Sequence, residues 1–474
     1  MTHLRWVLAA LLLGCAATAW AGGPLLVGGP AVGNRPAFGV DGQAFTWDPA
    51  AMPIKYRVDP GPMAATATGT VVLDHTVGVQ RLQSMFGVWQ SVPTAKISFS
   101  NVGALLPAGA YTGGDLKTLA QYNAILGSCQ AGGQSPVVFD ADGTLISALG
   151  LPPEVIGFAS QCDLDTTRGY VTAALVLLNG QMQDGINTTY ASPHNYEVSP
   201  NQFDEAITHE LGHLLGLDHS QINVDLYTQQ TYPCNLDELA GLPLMFPIEM
   251  CQARKDAGLP LLAPDDVAWI SSLYPSSSFA GAYGSLSGTI YFGDGVTPVQ
   301  GVNVIARLVD DPNTAEDESR RVAVSAVSGY LFTGNPGQSV TADMADPQEH
   351  NTNGDPNGSR NPKLIGFYHI YVPPGTYTVE VEEIGGSFTA GSSLGPLDPP
   401  LPIPGPAEFW NQDESVFDFP LQRDTITVRA GDDITGIDVI LNSLQPRFDQ
   451  HEDSGRIFDA PLAPLLSRKS QVAA

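Results

Sequence analysis

The sequence predicts a chain of two parts, an α+β region up to about residue 276 and an all-β module after it. Three observations carry this. Before Pro275, apolar residues change between helical spacing and strand alternation. Pro275-Ser276-Ser277-Ser278 then reads as a linker. Beyond it come short strand-like runs separated by turn residues, the pattern of a β-sandwich. At 474 residues the chain also exceeds what one hydrophobic core usually organises.

Taken in order, residues 1–21 read as an export signal. An apolar run from Trp6 to Leu13 follows His3 and Arg5, and Ala19-Trp20-Ala21 offers small residues at a cleavage site. Leu12-Leu13-Gly14-Cys15 offers an alternative, lipid attachment through Cys15. Residues 22–45 are rich in Gly and Pro and read as an extended leader. Ile54–Val58 alternates like a strand. Val79, Leu82, Phe86 and Trp89 then mark a helix over 76–92, closed by Pro93, with a strand starting at Ile97. Residues 101–150 look loop-like, and strands are expected at 155–159 and 170–178.

Ser199-Pro200-Asn201-Gln202 has the composition of a helix start: a capping Ser, Pro at the first helical position and Gln three residues after the cap. Ile207, Leu211, Leu214 and Leu215 form one apolar face, and Gly216 follows as a terminator. A further helix is expected over Pro264–Leu273. The domains are thus 46–276 and 277–445, with 446–474 as a tail. In the second, strands are expected at 287–292, 302–309, Phe367–Val372, 377–381, 425–428 and 437–441.

The formal net charge is −28, from 49 acidic and 21 basic residues. That excludes nucleic acid as the main partner, because phosphate binding needs clustered Lys and Arg. No stretch after the signal is apolar and long enough for a transmembrane helix. Without the signal four cysteines remain, Cys129, Cys162, Cys234 and Cys251. An even number in an exported chain reads as disulfides. Three connectivities are open; pairing nearest neighbours would join Cys129 with Cys162 and Cys234 with Cys251.

The chemistry concentrates in His209-Glu210-Leu211-Gly212-His213-Leu214-Leu215-Gly216-Leu217-Asp218-His219. His209 and His213 lie four residues apart on one helix, so both imidazoles project from one face. That spacing suits two ligands of a tetrahedral zinc, and a turn at Gly216 would bring His219 round as the third. Three protein ligands leave the fourth position for water, as in a catalytic site. Glu210 then serves as general base and acid for that metal-activated water. A chance His-Glu-x-x-His arises in roughly one such chain in a hundred, and the added Gly and His lower this to the order of one in 10⁵. The histidines and Glu210 also avoid the apolar face just described, which argues against a plain solvated helix.

This segment resembles the metzincin motif. His219-Ser220, the Met-turn-like Pro243-Leu244-Met245-Phe246-Pro247, and 262–267 with Leu273-Tyr274-Pro275 resemble the matrixins, the matrix metalloprotease group. The likeness covers about 46–276. It implies a metzincin-like catalytic domain with a twisted mixed sheet, helices and a zinc cleft, one catalytic Zn²⁺ held by His209, His213 and His219, and Met245 beneath it. It departs from the animal enzymes in lacking a leader Cys and an upstream His cluster for a second zinc. Asp140-Ala141-Asp142-Gly143 raises a calcium reading, but it is not an EF-hand and also reads as a polar turn.

Downstream, 298–304, Ser328-Gly329-Tyr330 and 373–379 resemble a carboxypeptidase regulatory-like β-sandwich, a fold with no chemistry of its own. Phe409-Trp410-Asn411 reads as a surface patch or as sandwich-edge packing. The expectation is a secreted zinc metalloendopeptidase acting on protein or peptide substrates. The alternatives are an extracellular binding or adhesion protein using the sandwich, and a zinc hydrolase of non-peptide amides.

Overall fold

The computed structural model describes residues 23–186 (except 32 and 35), 197–226, 232–332, 358–384 (except 360) and 408–442. Residues 1–21, expected as an export signal, with Cys15, and the expected tail 446–474 lie outside the described residues. The fold is α+β, with several sheets and few helices. No helix among the described residues is long and apolar enough to cross a membrane. The chain divides into two compact units. The first holds Phe45–Leu217 and Asp225–Phe279; the second holds Asp218–Val224, the segment ending at Ala44 and the chain from Ala280 on.

In the first unit the strands are β1 (Thr46–Trp47), β2 (Ile54–Val58), β3 (Ala64–Ala65), β4 (Val71–Leu73), β5 (Phe99–Ala104), β6 (Pro136–Asp140), β7 (Gly157–Asp165) and β8 (Tyr170–Asn179). Six of them form a mixed sheet in the order β1-β8-β6-β2-β5, with β7 antiparallel to β8 and the other pairs parallel. The helices are α1 (His75–Gln90), α2 (Leu119–Cys129), α3 (Thr144–Ala148), α4 (Pro200–Leu214), α5 (Leu236–Gly241) and α6 (Pro264–Leu273). Asp74 caps α1 by accepting from the Val77 amide at 2.9 Å. The helix buries Leu82, Met85, Phe86 and Trp89, and Phe86 stacks on Tyr56 of β2 with ring centres 4.2 Å apart.

The stretch 101–150 corrects the sequence expectation of a loop, for it contains α2, β6 and α3. β6 is buried along its whole length, so it lacks the apolar–polar alternation that marks a half-exposed strand. α2 runs for about three turns, and its start is written clearly: Thr118 and Gln121 form a reciprocal capping box. Tyr122, Ile125 and Cys129 of α2 join Val138, Leu175 and Leu177 in one core cluster. Disulfides join Cys129 to Cys162 and Cys234 to Cys251.

The second unit contains β9 (Gly284–Tyr291), β10 (Asn303–Leu308), the short helix α7 (Glu318–Arg321), β11 (Ala323–Val327), β12 (Phe367–Val372), β13 (Gly375–Glu382), β14 (Glu408–Phe409), β15 (Ile426–Val428), β16 (Asp433–Ile434) and β17 (Val439–Ile440). One sheet runs β11-β10-β13-β14 with β15 also on β13, all antiparallel. The other runs β12-β9-β16 with β17 also on β9. β11 escaped the sequence reading because all five of its residues are buried, which again removes alternation. The segment expected as an extended leader forms the bridges Val27↔Ala44, Gly28↔Asp41 and Gly29↔Phe38 and counts with this unit.

Candidate metal centre

The start of α4 follows its sequence. Ser199 Oγ accepts from the Gln202 amide at 3.2 Å, and Gln202 Oε1 accepts from the Ser199 amide at 2.9 Å. Further along, Trp89 of α1 donates its indole N–H to the Thr208 carbonyl at 2.8 Å, and Arg81 pairs with Asp204. These contacts fix the helix before the motif begins. At its end, Leu217 donates to the Gly212 carbonyl at 3.0 Å and Gly216 to His213 at 2.9 Å. Gly216 has φ +92°, where a side chain is strained, and a Cβ there would lie 3.1 Å from the Phe45 carbonyl oxygen. The chain therefore leaves the helix sharply, three residues before His219.

Candidate ligand atoms of His209, His213 and His219 lie within 4.8 Å of one another. Each imidazole on the helix is oriented from behind. His209 Nδ1 bonds the Leu244 carbonyl and His213 Nδ1 bonds the Leu217 carbonyl, both at 2.8 Å. A carbonyl can only accept, so each Nδ1 carries the proton and each Nε2 presents a lone pair. The two Nε2 atoms nevertheless stand 3.1 Å apart. Two acceptors that close repel unless a cation lies against both. Two nitrogens on one tetrahedral zinc, with bonds of about 2.0–2.1 Å, would be roughly 3.3 Å apart. The donor set fits that ion. Burial holds both rings neutral, His209 pushed down to about 4 and His213 to about 3, the latter helped by His209 itself.

Glu210 is buried and pushed up to about 8 by desolvation. Its Oε2 has no hydrogen-bond partner among the described residues. Gly157 at the start of β7 faces it: a Cβ there would stand 3.1 Å from Glu210 Cγ. The glycine thus leaves room for the carboxylate beside the sheet edge.

Met245 is buried, and a Cβ built on Gly212 would come within 2.4 Å of its sulfur. The missing side chain at 212 is what lets the methionine pack against the helix between the two histidines. The turn carrying Met245 is held by Asp266 of α6. Asp266 Oδ2 accepts from Leu244 at 2.8 Å and Ala263 at 2.7 Å, and Oδ1 accepts from Met245 at 3.0 Å. Since the Leu244 carbonyl orients His209, one peptide links Asp266 to the imidazole. Sequence reading placed Asp266 in the first turn of a helix and missed this role. The signal that could have found it is an acidic residue in a helix's first turn, where side chains commonly bond backbone amides.

Other predicted residues are placed as follows. Ser220 Oγ lies 3.2 Å from Ser325 Oγ within the second unit. Asp140 accepts from Leu145 at 3.0 Å and Ile146 at 2.7 Å, so both its oxygens serve the start of α3. Phe409 lies in β14 with the Arg423 guanidinium over its ring. No known family model matches the chain, and no curated protein or solved structure matches it either.

Proposed function

We propose that the chain is a zinc-dependent endopeptidase of metzincin type, similar to the matrixins, exported and cleaved after Ala21. The single observation that carries this reading is the convergence of three histidines whose helix-borne members aim proton-free Nε2 atoms at each other beside a buried glutamate. His209, His213 and His219 would hold the ion. An ion bound there would supply Lewis-acid polarisation of the scissile carbonyl, a more acidic water and a positive charge that favours the carboxylate form of Glu210. Glu210 takes the proton of the attacking water and delivers it to the nitrogen of the leaving amine. Leu244 and Leu217 carbonyls keep the two rings from rotating, and Met245 closes the space beneath them. The two disulfides support an oxidising compartment. The two sheets of the second unit support the regulatory-like sandwich reading.

The test is digestion of an unstructured protein by the zinc-loaded chain, with and without chelator, beside Glu210→Ala. Cleavage is expected to fall by about 10³-fold or more in the variant while its zinc content stays near one per chain. Undiminished cleavage in Glu210→Ala would sink the mechanism. Absence of cleavage by the zinc-loaded parent would favour a binding or adhesion role.

A further inference from the structure

We infer that Glu408, Glu414 and Asp418 of the second unit form a binding site for a hard divalent cation, and that the cation is calcium. One carboxylate oxygen of each lies within 4.8 Å of the others. Glu408 starts β14, and the other two sit on the loop that follows it. Glu408 is 1% exposed and Asp418 5% exposed, with Glu414 half-buried.

Backbone groups position all three. The amides of Asn411 and Ile440 donate to Glu414 at 2.8 and 2.9 Å. Ser415 donates its amide and its hydroxyl to Asp418, each at 2.7 Å. The Asn442 amide donates to Glu408 Oε2 at 2.9 Å, while the Asn442 side chain bonds Asp418's own carbonyl and amide at 2.9 and 2.7 Å.

Such bonds alone describe only a well-ordered acidic loop. The decisive observation is Glu408 Oε1. It is buried, on a side chain that contributes one oxygen to the cluster, and has no hydrogen-bond partner among the described residues. None of the three carboxylates is in an ion pair with a Lys or Arg among the described residues. A buried carboxylate oxygen is ordinarily satisfied, and three carboxylates in contact repel. A divalent cation would satisfy the unpaired oxygen and cancel most of the charge at once.

The donors are all oxygen and mostly anionic, which selects hard cations over zinc. No two of the grouped atoms are farther apart than oxygens on opposite sides of a calcium ion, twice a bond of about 2.4 Å. Ligands from one strand end and the loop after it also suit the flexible coordination of calcium better than the strict octahedron of magnesium.

The test uses the full mature chain, zinc-loaded, with calcium measured by equilibrium dialysis and by thermal unfolding. The parent is expected to bind one calcium at this site with Kd of about 10⁻⁵–10⁻³ M and to unfold several degrees higher in excess calcium. Glu408→Gln and Glu414→Gln are each expected to weaken calcium binding about ten-fold or more with zinc content unchanged. The half-buried Glu414 position provides a variant that folds if the buried one does not. Equal calcium binding by the parent and Glu414→Gln, or no calcium-dependent shift in the parent, overturns the site.

Discussion

Asp266 and Glu408 are both buried carboxylates, yet their surroundings are opposite. Burial pushes the Asp266 carboxyl up, but three backbone N–H bonds and nearby Arg254 act against that and favour its charge. Glu408 accepts from the Asn442 amide, has no partner for Oε1 among the described residues and lies beside two further carboxylates. The first is a staple that ties the Met245 turn to α6. The second has the character of a ligand. The difference teaches that burial alone does not define a carboxylate's role; the count of donors reaching its oxygens does. The same contrast separates the two candidate ligand clusters. The two helix-borne imidazoles are held neutral by burial, with their Nδ1 atoms tied to carbonyls, whereas the other cluster gathers three carboxylates.

The sharpest way to break this comparison is Asp266→Asn. Its amide would set N–H groups against one of the three donors, and the folded state is expected to lose about 3 kcal/mol in denaturant unfolding. Zinc retention should weaken as well, because the Leu244 peptide that orients His209 is released. A loss below about 1 kcal/mol would show that Asp266 is not a staple.

Glu205 tests the ground between the extremes. It accepts from the Arg254 amide at 2.6 Å but is pushed up to about 7, first by burial. Its folded value lies above the ordinary carboxylate value, so its stabilising effect is full below about pH 4.5 and is lost as pH rises through about 7. Glu205→Gln should therefore gain on the parent across that window, by up to about 3 kcal/mol, when unfolding is followed against pH. A pH-independent difference between the two would contradict the assignment.

The smallest expected effect is local. Ser199→Ala removes the α4 cap and should cost about 1 kcal/mol with zinc content unchanged. An equal loss of zinc would mean that the helix start, rather than the Asp266 staple, holds the histidines.

Much of the first unit was legible because its signals are local. The α4 capping box, the bounds of α6 and the strand Ile54–Val58 follow from spacing and caps within a few residues. The two-histidine helix face belongs to the same class, since i and i+4 side chains share a face wherever a helix forms. The parts that were not legible are long-range. β6 and β11 are buried on both faces and so carry no alternation. Gly212 and Gly157 read as ordinary glycines until Met245 and Glu210 stand against them.

The His209–His219 motif, the helix that bears it and the even cysteine count were thus determined by the sequence itself, because helix periodicity and capping act between near neighbours. Only the tertiary structure decided which carbonyls hold the two helix-borne imidazoles, that Asp266 reaches the Met245 turn from 20 or so residues away, and that Glu408, Glu414 and Asp418 meet at all. The physical reason is common to the three cases. A buried polar atom takes whichever partner the packing brings to it, and packing joins residues that the chain keeps far apart.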